Sequence, residues 1–331
     1  MFIIDNYTTA VIFCFVTMLC WGSWANTQKL AASNWRFELF YWDYVIGIFL
    51  TAMLFAFTLG SSGEEGRSFL EDISQADKTH IGSALLGGVI FNAANILLVA
   101  AISIAGMSVA FPVGIGLALV LGVLVNYADN PVGNSGLLFT GVGLIVAAIL
   151  LNAFAYRRTA SSSQGVSTKG LVLSVTAGIL MGYFYKYVAA SMYTDFKMPE
   201  AGKLSPYTAV FFFAIGILLS NFLFNTLLMK RPFNGAPVRY VDYFNGQLRN
   251  HLMGVLGGVI WCIGMSFNII ASGAAGPAIS YGLGQGATVI AAIWGIFIWK
   301  EFAQAPKGTG AILGSMLLCY LIGLSLIIAA R

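Results

Sequence analysis

Apolar runs of about 20 residues, separated by short polar stretches, recur along this chain from Tyr7 to Ala330. A helix rises ~1.5 Å per residue, so each run is long enough to cross ~30 Å of hydrocarbon. The pattern predicts ten spans: Tyr7–Thr27, Leu39–Gly60, Ile81–Ser103, Gly106–Tyr127, Asn134–Ala155, Gly170–Tyr193, Tyr207–Met229, Leu252–Ser272, Pro277–Trp299 and Gly308–Ala330. The short alternating segments of a membrane barrel are absent from the sequence. The expected fold is therefore an all-α integral membrane protein of ten transmembrane helices. The first run has no basic stretch before it and no small-residue cleavage site, so it is expected to stay as a helix and not to be removed as a signal peptide.

One stretch of this pattern occurs twice. Leu86 to Gly116 reads LGGVIFNAANILLVAAISIAGMSVAFPVGIG, and Leu256 to Gly286 reads LGGVIWCIGMSFNIIASGAAGPAISYGLGQG. Gly87, Gly88, Gly106, Gly114 and Gly116 fall on Gly257, Gly258, Gly276, Gly284 and Gly286 without a gap. A fainter match aligns Gly22 to Asn26 with Gly182 to Lys186. Between the copies, Arg157 to Lys169 is the best linker. The expected organisation is a five-helix repeat over 1–156, a cytoplasmic linker over 157–169 and a second five-helix repeat over 170–331. Five is odd, so the second half enters the membrane from the opposite side, as an inverted repeat.

Composition supports the membrane reading: the chain is 58% hydrophobic and 9% charged, against roughly 25% charged residues in a soluble domain. The net charge of +4 lies in loops, so nucleic acid is not an expected partner. Loop Lys and Arg gather on the side reached after the first span, including Arg157, Arg158, Lys230, Arg231, Arg239 and Arg249. That bias puts the linker in the cytoplasm and both termini outside, in an inner or plasma membrane. Cys14, Cys20, Cys262 and Cys319 sit in apolar runs without metal or redox spacing and read as packing residues. The two histidines, His80 and His251, fall in or beside loops. With no HExxH, phosphate loop or G-x-S-x-G, no catalytic residue, metal or cofactor is expected. Active transport without an ATP site draws on an ion gradient or on exchange.

Polar groups in mid-span are costly, so each needs a reason. Asn92 and Asn95 share one face of the third span near its middle, and Gln285 lies at a similar depth in the ninth, close to Trp261 of the eighth. Amides suit a polar uncharged solute and an indole offers a flat face; the same amides also serve as glue between helices. Trp24 and Asn26 close the first span in the run Trp21-Gly22-Ser23-Trp24-Ala25-Asn26, which reads as a broken helix end lining a cavity or as an interfacial belt. Asn268 and Tyr281 complete the candidate substrate-binding set. Phe111 and Tyr281 occupy one repeat position and are candidate gates. Asp43 and Glu38, near the start of the second span, are either proton-coupling carboxylates or interfacial groups that bond helix ends. Helical rise separates Asp43 from Lys186 in depth by ~18 Å, which excludes a direct pair. Asn26 is at a better depth for Asp43. Lys186 has no obvious acidic partner at its depth. It either snorkels outward or lines the outer half of a cavity, in place of a coupling cation or against a substrate carbonyl.

These residues carry a resemblance. Ten helices in two inverted halves resemble the drug/metabolite transporter superfamily. Gly22-Ser23-Trp24, Tyr41-Trp42-Asp43-Tyr44, Leu86-Gly87-Gly88, Asn126-Tyr127 with Asp129-Asn130, and Trp294-Gly295 with Glu301 look like the ureide permease family and its bacterial glucose/ribose porter relatives. The long central loop of the plant members is missing. The resemblance implies uptake of a small nitrogen-rich solute (allantoin, a nucleobase or a related ureide), coupled to protons, by a monomer in the bilayer. The neighbouring porters imply a monosaccharide instead. A lipid-modifying enzyme would need a catalytic pair at one depth, which the sequence lacks; a passive channel or sensor is the other competing class.

Overall fold

A computed structural model describes residues 1–32, 34–105, 107–159, 167–233 and 235–331, without the side chains of 107–109, 111 and 112. The expected gate Phe111 and residues 160–166 of the expected linker thus lie outside the described side chains and residues.

The described residues are helical. In chain order they form α1 (Tyr7–Ser23), α2 (Asn26–Leu30), α3 (Phe37–Phe57), α4 (Phe69–Gln75), α5 (Lys78–Ala105), α6 (Met107–Asp129) and α7 (Ser135–Thr159). The second half holds α8 (Thr168–Ser191), α9 (Pro206–Lys230), α10 (Tyr240–Phe244), α11 (Leu248–Ala275), α12 (Pro277–Gly284), α13 (Ala287–Ile293) and α14 (Thr309–Ala329), with a π turn over Trp294–Ile298. Helix ends follow local chemistry. Asn6 caps α1 by accepting from the Thr9 amide at 2.8 Å, and Ser205 with Pro206 starts α9. Gly276 takes φ 85° and Pro277 follows it, which ends α11 and begins α12 with almost no loop.

Eight helical stretches among the described residues are long and apolar enough to span a bilayer, and two shorter apolar helices cover Tyr7–Ser23 and Val113–Asp129. Their outward faces expose residues such as Leu54, Leu219, Phe222 and Leu321, as a lipid-facing surface requires. The first and ninth predicted spans are each interrupted. The first breaks at Trp24–Ala25 and the ninth at Gln285–Gly286. The short helices α4 and α10 fall where no element was expected.

Helix pairing follows one scheme in both halves. α5 packs on α8 and α9, and α11 packs on α1 and α3. At the crossings the backbones touch. A Cβ added at Gly88 would sit 2.0 Å from the Phe213 carbonyl oxygen, and one at Gly258 would sit 2.0 Å from that of Tyr44. Gly216 and Gly47 meet the Leu85 and Val255 carbonyls in the same way, each at 2.2 Å. Only a residue without a side chain fits there. Gly258→Val is therefore expected to force α3 from α11, at a cost of about 3 kcal/mol or more. Thermal unfolding of the purified protein in detergent checks this, with Gly310→Val, at a position with open space around it, as a control that leaves the melting temperature unchanged.

Candidate functional site

The broken first and ninth spans bring their breaks to one place, where the structure holds a cavity of about 140 Å³. Its walls come from α1, α5, α6, α8, α11 and the α12–α13 break. Positions matched between the two repeats line it in pairs: Phe91 and Trp261, Trp21 and Met181, Trp24 and Phe184, Ile115 and Gln285. The Phe91 and Trp261 rings approach to 4.4 Å between centroids. Trp21 stacks on Trp261 at 5.8 Å and 14°, and its Nε1 donates to the Trp261 carbonyl at 3.2 Å. The aromatic wall is therefore held by its own contacts.

Two amides interrupt this wall. Gln285 sits at the break between α12 and α13. There the Gly286 amide bonds Leu283 at 2.9 Å and the Thr288 amide bonds Gln285 at 3.2 Å, both three residues back, so the helix tightens for one turn. The Gln285 side chain lines the cavity and has no hydrogen-bond partner among the described residues. Asn95 is held by a relay. Its Nδ2 donates to the Tyr41 hydroxyl at 3.1 Å, which donates to Asn92 Oδ1 at 2.9 Å. Asn92 Nδ2 donates to Ser220 Oγ at 2.9 Å. The donors fix the orientation of each amide and leave Asn95 Oδ1 without a partner among the described residues. Asn92 is thus outside the cavity lining, fully buried, and one step behind the residue that lines it.

Asn268 and Tyr281 are also absent from the lining. They lie between the cavity and the face that carries the termini. Tyr281 donates to the Met181 carbonyl at 3.1 Å and points at that of Ala118 at 3.3 Å. Its ring fills the space beside Gly122, where a Cβ would meet it at 2.1 Å. Asn268 Nδ2 bonds the Ser280 carbonyl at 2.7 Å, while its Oδ1 is buried without a partner among the described residues. This plug separates the cavity from a polar vestibule of about 460 Å³ lined by Asp5, Asn130, Lys197, Ser272 and Arg331.

On the face that carries the linker, Asn26 is turned away from the cavity and accepts from Trp299 Nε1 at 2.7 Å. Trp294 Nε1 donates to Ser23 Oγ at 2.9 Å, and Lys29 pairs with Glu301 at 3.1 Å. These bonds tie the end of the first span to the end of the ninth.

Two expectations about ionisable residues are corrected. Asn26 is not the partner of Asp43: Asp43 accepts from Tyr243 at 2.7 Å and meets His251 Nδ1 at 3.0 Å. His251 stands in the first turn of α11, and His80 in the first turn of α5, each beside a loop. Lys186 does have an acidic partner. Its Nζ lies 3.0 Å from Asp129 Oδ2, because α6 ends beside the upper part of α8. Glu38 is neutralised by Arg36, whose Nε donates to it at 3.1 Å. The missed partners Asp129 and His251 were visible as charged or titratable residues flanking spans, but only packing decides which span ends meet.

The Lys186–Asp129 pair gives a direct prediction. Lys186→Asp places two carboxylates together and lowers the melting temperature, and adding Asp129→Lys restores it. Both partners are more than a third exposed, so the pair itself contributes less than about 1 kcal/mol.

Comparison with known proteins gives three findings. The sequence model of the family described as Ureide permease matches residues 40–169 and 156–330. Ureide permease 1 and Ureide permease 4 of Arabidopsis thaliana are 22% and 21% identical to this chain, with all of this chain and 99% of each relative aligned. A solved crystal structure shares the fold with a TM-score of 0.63 at 13% identity, over 97% of this chain and 96% of its own.

Proposed function

The chain belongs to the ureide permease family, and we propose that it is a secondary active transporter that carries a small ureide or nucleobase through the cavity at the two helix breaks. The observation that carries this is the pair of unpartnered amides, Gln285 and Asn95 Oδ1, set between the faces of Trp24, Trp261 and Phe91. A ureide is flat, uncharged and rich in N–H and C=O groups. Amide oxygens accept its N–H groups, the Gln285 amide donates to its carbonyls, and aromatic faces cover its plane.

Alternating access between two inverted repeats fits the same facts. Pairing of α5 with α8 and α9 is mirrored by pairing of α11 with α1 and α3, and the cavity is lined by matched positions of both halves. Such a site on a repeat axis is opened from either face by rocking one half against the other. The ten-span count takes Tyr7–Ser23 and α6 as spans with the eight longer ones. In this reading Tyr281 gates the terminal face, with Phe111 as its repeat counterpart. The Lys/Arg bias supports a cytoplasmic linker in a plasma membrane. The same fold supports placement in the drug/metabolite transporter superfamily, and a monomer suffices because one chain supplies every wall. A proton is the coupling ion best supported by the residues. Asp43 is buried with no Lys or Arg partner among the described residues, whereas Glu38 already has Arg36.

Uptake of radiolabelled allantoin, uracil and glucose into proteoliposomes, with and without an imposed pH gradient, tests the reading. Allantoin or uracil is expected to accumulate and glucose is not. Gln285→Ala and Asn95→Ala are each expected to weaken apparent affinity about tenfold, the loss of one buried hydrogen-bonding amide. Asn92→Ala is expected to act more weakly, through the orientation of Asn95. Glucose accumulation in place of the others would assign the cavity to a monosaccharide.

A further inference from the structure

We propose that Asp43 and His251 form a single proton-binding dyad, that the proton adds to His251 Nε2, and that its binding tightens the α3–α11 crossing; this rests on the transporter reading above. Asp43 is 3% exposed and stands on α3 opposite the first turn of α11. Both of its oxygens lie 3.0 Å from His251 Nδ1. An ionised carboxylate only accepts, so Nδ1 carries a hydrogen and the lone pair of the ring is on Nε2. Tyr243 on α10 supports the dyad by donating to Oδ1 at 2.7 Å. Burial first, then the bond to Asp43 and its charge, raise the Tyr243 hydroxyl above its ordinary value, so it remains a donor. One position for a proton is left. Nε2 points toward the α10–α11 turn at Gly246, on a side chain 23% exposed, so water on the linker face reaches it.

The other charges on the surrounding elements are engaged elsewhere. Arg36 pairs with Glu38 on α3, Arg239 with Asp242 on α10, and Arg249 donates to the Leu30 carbonyl. Without the extra proton the dyad holds a net negative charge in a buried site. Adding one proton from water to Nε2 gives an imidazolium–carboxylate pair with no net charge and breaks no bond within the protein. The pair spans the crossing itself. A Cβ at Gly254 would lie 2.4 Å from that of Asp43, and Gly258, which touches the α3 backbone, follows one turn later. Trp261 of the cavity wall is three residues further on. With the crossings matched as Gly47 to Gly216 and Gly258 to Gly88, the positions corresponding to Asp43 and His251 are Phe212 and Ile81. Among the described residues the device therefore occurs once.

Trp35 reports on the dyad, since its ring meets that of His251 edge-on at 5.2 Å and an imidazolium quenches indole fluorescence. The experiment records fluorescence of the full chain in nanodiscs between pH 5 and 8, with Trp35→Phe subtracted, and no solute present. A single quenching step is expected on acidification. It should vanish in His251→Gln, persist in His80→Gln, and be altered in Asp43→Asn, where the ring loses its carboxylate partner. Proteoliposomes then give the functional readout: His251→Gln should lose accumulation of allantoin driven by a pH gradient and keep allantoin exchange, which also shows that it is folded. Tyr243→Phe, which removes the donor to Asp43 Oδ1, should retain the fluorescence step, because His251 keeps its carboxylate. A step that survives in His251→Gln, or gradient-driven accumulation that survives there, would overturn the proposal. A normal step in a chain that carries no allantoin would uphold the dyad and reject the ureide reading.

Discussion

Four backbone contacts hold the architecture in register: Gly88 against Phe213, Gly216 against Leu85, Gly258 against Tyr44 and Gly47 against Val255. Lipid tails are as apolar as leucine, so helices in a bilayer gain little by hiding apolar side chains from their solvent. Association depends on close packing instead. Each glycine lets two backbones approach where any Cβ would collide. The approach has a positional consequence. Phe91 and Trp261 follow Gly88 and Gly258 by three residues, one helical turn, so the crossings also set where the cavity walls face each other.

On this shared frame the two halves diverge in their polar groups. Asn95 falls opposite Met265 in the repeat, and Gln285 opposite Ile115. The break at Gln285–Gly286 has no equivalent in α6, which is continuous from Met107 to Asp129. Matched apolar positions of both halves line the cavity, and two amides without matched counterparts interrupt it. The Asn95–Tyr41–Asn92–Ser220 relay crosses from α5 to α3 and back through α5 to α9. A movement of these helices thus changes the orientation of an amide in the cavity, without any residue outside the bundle.

The cavity lining is legible in the sequence only in part. Mid-span polarity and flat rings are rare enough to mark Gln285, Asn95, Trp24 and Trp261, and all four line the cavity. The same criterion marks Asn92, but the three-residue offset from Asn95 turns it toward α9. Tyr281 and Asn268 also lie near the cavity in depth, yet they point to the plug. Depth is a one-dimensional quantity that sequence supplies. Azimuth around a helix in a bundle is not, when every face of the helix is apolar. Phe91, Phe184 and Trp21 line the cavity too, and nothing in the apolar pattern sets the first two apart from the phenylalanines around them.

The ionisable residues divide in the same way. Sequence by itself determined that this chain is helical, that it is too apolar for water, and that a glycine frame recurs in both halves. Those properties follow from composition and spacing, which the chain carries in every environment. Only the tertiary structure decided that Asp43 meets His251 and Tyr243, that Lys186 meets Asp129, and that the breaks in the first and ninth spans share one cavity. Each of these joins residues more than 50 positions apart. Such partners are chosen by which helices cross and at what angle, and that choice is made by backbone contact at the glycines, which no local pattern of the sequence pairs with one another.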